Sequence, residues 1–461
     1  MTAASSPGAA AGPAGWSARP VQPRRSTLTP HLQTLLVGQA ISALGDWMGT
    51  VALMALVLEL TGSATAVGGV LVLRLVPTIA AGPLAARMLR RWSRRRIMLA
   101  MDAVRVPAAA LLPWITELWW IYTWALVIEL AGMVFMPARD ASIPDLEEPG
   151  ADLALANALV LGSSYGMIPV GAGAFALITA VAGGSDSIGA ARIVFAVDAL
   201  TFLLSFVAIA KLPETGRAQT AAAQAASDAG TGATDAETGA ADAGGGVDAG
   251  TGRFRDALRL PLVRRLAPVA GVVAGGLGAL FSLGVVWVRD VLDASDTQFG
   301  LLVACFGVGA GGSLGVLRRL DRRDLGLIRV LLLAQGTVVA TMSLAPAIGF
   351  ALLGAVAFGG LAALVLATAM ELLQREVGDR DRMLAFTAFH VVIRGGLAIA
   401  AIAAGVADDL LQKVDWPLVG DLASSQVVLM SSGILVAVVA AFTRPTLPPA
   451  EPATGTAGSP G

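Results

Sequence analysis

Asp46, Arg74, Glu129, Asp198, His390 and Arg394 are ionisable residues set inside long apolar runs. Such a group is costly in lipid unless it is paired or faces a cavity, so each marks a place where charge is used. The chemistry open to them is binding and releasing a proton, or holding a charged solute. Asp46 and Arg74 fit a structural ion pair, because removing one partner of a buried pair is costly. Asp46 equally fits a proton carrier whose pairing with Arg74 switches as a proton or a cationic solute arrives and leaves. Glu129, eight residues before Pro137, is the second candidate carrier. Asp198 reads either as part of this set or as a helix-packing residue. His390 and Arg394 are four apart, so they share a helix face. With Gln39 they are expected to line a cavity, where Arg394 would suit an anionic group. Snorkelling to the inner surface is the other reading of Arg394.

The remaining residue types argue against enzyme chemistry. One cysteine, Cys305, and two histidines, His31 and His390, leave little for a metal site, and no metal or cofactor is expected. Gly307–Gly312 spells G-x-G-x-x-G and Gly311–Gly315 spells G-x-S-x-G. Both lie in an apolar run and neither follows a strand, so they read as small-residue packing surfaces. No phosphate-loop motif is present. The net charge of −1 argues against a nucleic-acid partner.

These side chains must be positioned by membrane helices. Hydrophobic residues make up 56% of the 461 and charged residues 14%, where soluble domains carry about a quarter charged. Twelve apolar runs occur, at roughly 33–60, 66–88, 97–116, 119–137, 154–182 and 190–211, then 264–289, 298–317, 325–346, 350–372, 384–407 and 425–442. Each approaches the ~20 residues that span ~30 Å of hydrocarbon as a helix. Six arginines fall between Arg87 and Arg96, and RRLDRR at 318–323 echoes RRWSRR at 90–95. Arginine is favoured at the cytoplasmic surface, so these hairpins and both termini are expected inside.

The expected organisation is a disordered cytoplasmic tail at 1–30, a six-helix bundle at 31–211, and a linker at 212–262. A second six-helix bundle follows at 263–442, and a tail at 443–461. Residues 214–252 of the linker are rich in Ala, Gly and Thr and cannot bury enough apolar surface to fold. The basic segment Arg253–Arg265 is expected to lie on the inner membrane surface.

Several stretches resemble the major facilitator superfamily. They are GQAISALGD (38–46), LELTGSATAVGG (58–69), RLVPTIAAGPLAARMLRRWSRRR (74–96), D-x-x-R at Asp102–Arg105, FMPARDASIPDL (135–146), ALANAL (154–159), VDALTFL (197–203) and LLQREVGDRDR (372–382). The subgroup they look most like is the bacterial drug, macrolide and siderophore exporters. The resemblance implies an all-α polytopic protein of twelve transmembrane helices in two six-helix bundles. It also implies a cytoplasmic gate built from Gly82, Arg90, Arg91, Arg94, Arg95, Asp102 and Arg105. Family members usually have an aspartate where this chain has Arg90, and Asp102 is a possible substitute. The charged stretch from Glu371 to Arg382 reads either as a solvated face or as ion-pair partners of the Gly82–Arg96 hairpin, and the resemblance favours the second. Gly166, Pro169, Gly171 and Gly173 resemble a degraded form of the Gly-Pro element that marks exporters; ordinary tight packing is the plainer reading.

The function implied is proton-coupled efflux of an amphipathic small organic molecule by alternating access, as an antiporter in the plasma membrane. Uptake of a small organic solute is the alternative. A mostly apolar cavity suits drugs, macrolides or a siderophore better than sugars. The partners expected are that substrate, protons and the lipid bilayer, and the chain is expected to act as a monomer.

Overall fold

The computed structural model describes residues 28–73, 91–148, 162–164, 166–182, 187–215, 261–317, 324–377, 379–413 and 422–442, with isolated positions elsewhere. Twelve α-helices are described. The first half holds α1 (Pro30–Thr61), α2 (Ala64–Val72), α3 (Arg94–Leu111), α4 (Leu118–Leu146), α5 (Ile168–Val181) and α6 (Ser187–Ala210). The second holds α7 (Pro261–Asp290), α8 (Asp296–Leu317), α9 (Leu325–Met342), α10 (Ile348–Glu376), α11 (Asp379–Leu411) and α12 (Ser424–Phe442). Eleven helical segments are long and apolar enough to cross a membrane, and the nine described residues of α2 are too few to count.

Local chemistry sets the boundaries. The Thr29 hydroxyl caps α1 by accepting from the Leu32 amide, and Pro30 occupies the first turn, where its missing N–H costs nothing. Gly62 ends α1 at φ 60°, a left-handed conformation that favours glycine, and Ser63 then caps α2. Ser93 and Asp324 cap α3 and α9 in the same way.

Burial identifies the central elements. The membrane-crossing parts of α1 and α7 are 78% and 72% buried, against 28–44% for the other nine segments. Equivalent helices of the two halves therefore form the centre, as the internal echo of the arginine hairpin suggests. The outer helices show lipid a greasy surface, with Leu177, Leu353, Ile399 and Phe442 well exposed. Within the halves α1 packs on α6, α3 on α4, α7 on α11 and α9 on α12. The halves meet along α5 with α8 and α2 with α11.

Several helices outrun their apolar runs. The α4 helix continues nine residues past Pro137 and includes Pro144. Proline is tolerated in membrane helices when neighbours satisfy the freed carbonyl. The α7 helix begins at Pro261, so the last residues of the basic segment are its first turn, and the boundary expected at 262/263 falls inside a helix. The expected loop at 372–382 is largely helix, since α10 reaches Glu376 and α11 starts at Asp379. Arg375 there pairs with Glu371 of its own helix at 2.5 Å. The tails and residues 216–260 lie outside the described residues.

Candidate functional site

A cavity of about 320 Å³ opens between the halves, lined mainly by the first. Asp46 sits midway along α1 and faces it. Its carboxylate lies 3.8 Å from Arg105 on α3. Arg105 also contacts Asp102, one turn earlier on the same helix. The guanidinium lies over two aromatic rings, 4.7 Å from Phe135 and 4.5 Å from Phe202. Aromatic faces offer a desolvated cation partial compensation.

Asp198 of α6 joins this group and interacts electrostatically with both Asp46 and Arg105. Glycines make room for it. A Cβ on Gly45 would collide with the Asp198 carboxylate and the Thr201 hydroxyl, and one on Gly49 would stand 3.3 Å from the other carboxylate oxygen. The α1 glycines that flank Asp46 are therefore the seat for Asp198. Thr201 donates to Asp198 at 3.3 Å. Exposure separates the members: Asp102 is 0%, Asp198 2% and Arg105 4% exposed, while the Asp46 side chain is 36% exposed. Three carboxylates thus surround one guanidinium, and Asp46 is the most open to the cavity.

Glu129, Gln39 and Arg394 line the same cavity, with Trp47, Thr50, Leu53, Ile128, Met133, Met136, Phe135 and Phe195. Arg394 comes from the second half. His390 is on α11, but its side chain is outside the described residues, as are Arg74, Gly82 and Arg90. The expected Asp46–Arg74 pairing therefore falls outside them too. Arg139 of α4 borders the cavity and is committed to Asp140 at 2.7 Å and to Ser164 at 3.2 Å.

The arginines of the hairpin act inside their own half. Arg94 bonds the Ala141 carbonyl at 2.6 Å and Asp145 at 2.7 Å. Arg95 donates to the Ile209 and Ala210 carbonyls at 3.2 and 2.5 Å, which satisfies the open end of α6. Arg91 is exposed. Asp102 and Arg105 lie eight and eleven residues into α3, which places them with the cavity charges rather than with the hairpin.

On α5, Gly171 lets α1 approach, since a Cβ there would lie 2.7 Å from the Leu44 carbonyl. Pro169 packs across the halves on Gly307 of α8, where an added Cβ would be 2.7 Å from its ring. Gly166 follows a turn closed by its own amide on the Gly162 carbonyl, and Gly173 faces open space. This supports close packing along α5 and α8.

The end of the molecule opposite the arginine hairpin is acidic, and there the halves are tied together. Asp409 near the end of α11 accepts from the Ser63 hydroxyl at 2.7 Å, the Ala64 amide at 3.1 Å and the Thr65 amide at 3.3 Å. Arg289 at the end of α7 bridges Glu59 of α1 at 2.9 Å and Asp296 at 2.6 Å. Thr179 and Thr297 meet at 3.0 Å, and Ser282 donates to the Ala64 carbonyl at 3.1 Å. Gly68 and Gly405 allow α2 and α11 to touch by backbone. None of these contacts was singled out from sequence. Arg289, Asp296 and Asp409 look there like ordinary loop charges.

This arrangement recurs in solved structures. The nucleoside transporter NupG superposes with a TM-score of 0.65 at 12% identity, covering 89% of this chain and 97% of that one. The inward-open xylose transporter XylE from E. coli gives 0.60 at 12% identity over 90% and 96%. The inward-facing, unoccupied bacterial homolog of the lysosomal transporter Spinster gives 0.63 at 14% over 89% and 96%. The chain has the major facilitator fold. At such identities the likeness shows the fold alone. Two Bacillus subtilis (strain 168) proteins described as uncharacterized MFS-type transporters, YfiS and YwfA, are 28% identical over 116 residues and 27% over 139. Those matches cover 25% and 30% of this chain and only 28% and 33% of the relatives' lengths. No protein-family model matches the chain. Within the major facilitator fold, the cavity between the halves is the feature with convergent charge.

Proposed function

We propose that the chain is a secondary active transporter of the major facilitator type, working by alternating access as a proton-coupled exporter of amphipathic small molecules. The observation that carries this reading is the Asp46–Arg105–Asp198 cluster at mid-helix depth, with Arg105 and Asp198 buried and Asp46 open to the cavity between the halves. Three carboxylates around one guanidinium leave negative charge in a low-dielectric site, which is costly unless a positive charge joins it. A proton supplies that charge on one side of the membrane, and a solute or Arg394 can supply it on the other. Exchange of proton for solute through one cavity is antiport.

The sidedness follows the arginines: the hairpin end faces the cytoplasm of the plasma membrane, both termini with it, and the acidic end faces out. The contacts of Asp409, Arg289 and Thr179 then form a closed outer gate, so the cavity opens inward. Arg91, Arg94 and Arg95 then edge the inner side. Of the α5 series Gly166, Pro169, Gly171 and Gly173, Pro169 packs on Gly307 of α8 and Gly171 on α1. What speaks for export is the resemblance of the series to the Gly-Pro element of exporters.

Everted membrane vesicles test this. Vesicles containing the chain are energised by respiration and loaded with a fluorescent amphiphile such as ethidium. Dye accumulation that collapses with a protonophore and is lost in D46N supports the reading. Gradient-driven accumulation confined to right-side-out vesicles indicates uptake instead. Dye movement indifferent to the gradient and to D46N overturns it.

A further inference from the structure

Glu129 differs from every other acid around the cavity. Asp46 and Asp102 are engaged by Arg105, Asp198 is held by Thr201 and lies in the field of Arg105, and Asp140 takes Arg139. The Glu129 carboxylate lines the cavity, is partly exposed to it, and makes no hydrogen bond or ion pair among the described residues. It lies in a membrane-crossing stretch of α4, where an uncompensated carboxylate is not kept for stability. One turn on, Gly132 faces open space: a Cβ there would meet nothing within 4 Å. Room is thus left beside the carboxylate. Around it Ala125, Ile128, Met133 and Met136 make an apolar wall, and methionine adapts to varied shapes. The cavity also holds an acceptor with no donor, the buried Oε1 of Gln39.

The charged groups facing this space are Asp46 on α1, Arg105 on α3, Arg139 on α4, Asp198 on α6 and Arg394 on α11. Arg105 and Arg139 are committed to carboxylates, and Arg394 has a partner already. An unpaired carboxylate, an unpaired amide oxygen and an apolar wall are complementary to one chemistry, a lipophilic cation.

We infer that Glu129 is the substrate anchor, and that the cavity takes amphipathic molecules carrying a positive charge. It rests on the transporter reading for what the cavity is for. It separates the two jobs that one acid was expected to share: the Asp46–Arg105–Asp198 cluster handles the proton, and Glu129 holds the cationic end of the cargo. Among the candidate cargoes, basic drugs and macrolide amines fit and anionic siderophores do not.

The test uses the full-length chain in lipid nanodiscs, with empty nanodiscs as the blank. Tetraphenylphosphonium and tetraphenylborate share a shape and carry opposite charges, and each is titrated separately by equilibrium dialysis. Wild-type protein is expected to bind tetraphenylphosphonium saturably and tetraphenylborate no better than the blank. E129Q should weaken the cation by about tenfold or more, the size of one charge-assisted contact. E129D, which keeps the charge, should restore most of it, and this tells loss of the anchor from loss of the fold. Equal cation binding by E129Q and wild type overturns the assignment, as does absent saturable cation binding or tight borate binding. Flux of tetraphenylphosphonium in sealed proteoliposomes separates this from the wider reading. Binding that needs Glu129 without flux keeps the anchor and removes transport. Flux with binding indifferent to E129Q does the reverse.

Discussion

Ser63, at the start of α2, donates its hydroxyl to the Asp409 carboxylate, near the end of α11, at 2.7 Å. The two residues are 346 positions apart in the chain and belong to different halves. The same carboxylate receives the first amides of α2, whose partial positive charge favours an anion. One side chain therefore fastens the two halves at the acidic end. D409A removes all three bonds. Spin labels at Thr61 and Leu410, both exposed, should then show a longer distance population than in the parent protein. An unchanged distribution would mean that Asp409 holds nothing shut.

A second tie can be made covalent. Thr179 and Thr297 bring their hydroxyls within 3.0 Å between α5 and α8. Cysteines at both positions, in a protein whose single cysteine Cys305 is replaced by serine, should cross-link on oxidation and stop transport. Reductant should restore it. Transport that continues through a complete cross-link would show that this end never opens.

The glycine seat predicts an order of damage. A methyl group at Gly45 overlaps the Asp198 carboxylate and the Thr201 hydroxyl, whereas one at Gly49 is merely tight at 3.3 Å. Overpacking of this kind costs about 1–3 kcal/mol. G45A should lower the thermal unfolding midpoint by more than G49A in the same detergent. Equal midpoints for G45A and wild type would remove the argument that these glycines exist to admit Asp198.

Arg105 should be more important to folding than to any single contact. Asp102 is fully buried against it, and removing one partner of a buried pair costs about 3–5 kcal/mol. R105A should accumulate poorly in membranes, and R105A/D102A should recover part of the yield, since Asp102 is then no longer stranded while Asp198 still lacks its cation. Yield is read by gel filtration of the solubilised protein. A double variant as poor as R105A would contradict this account of the pair.

Much of the fold could be read from the chain because bilayer thickness sets run length. Each of the twelve helices falls on an apolar run, and Asp46, Glu129, Arg394 and Gln39 line one cavity. What escaped was rotation and pairing. Asp46 finds Arg105 59 positions away, and only the packing of α1, α3 and α6 brings Asp198 to both. The resemblance ties D-x-x-R on α3 to the inner gate, and what the sequence alone does not give is the approach of Arg105 to Asp46 of α1. Arg94 and Arg95 were legible as surface cations, but their direction, onto the carbonyls of α4 and α6, depends on where those helices end. The Asp409 tie was invisible, since a helix start attracts a carboxylate from anywhere in the fold.

Access to the cavity tests the central claim. A cysteine at Thr50, which lines the cavity on α1, would be challenged with a membrane-impermeant maleimide in sealed vesicles of either orientation, in the C305S background. The account predicts labelling from the arginine-hairpin side in the resting protein, and from the opposite side once D409A is added. Simultaneous labelling from both sides of one population, as in an open channel, or from the acidic side alone in the parent protein, would contradict it.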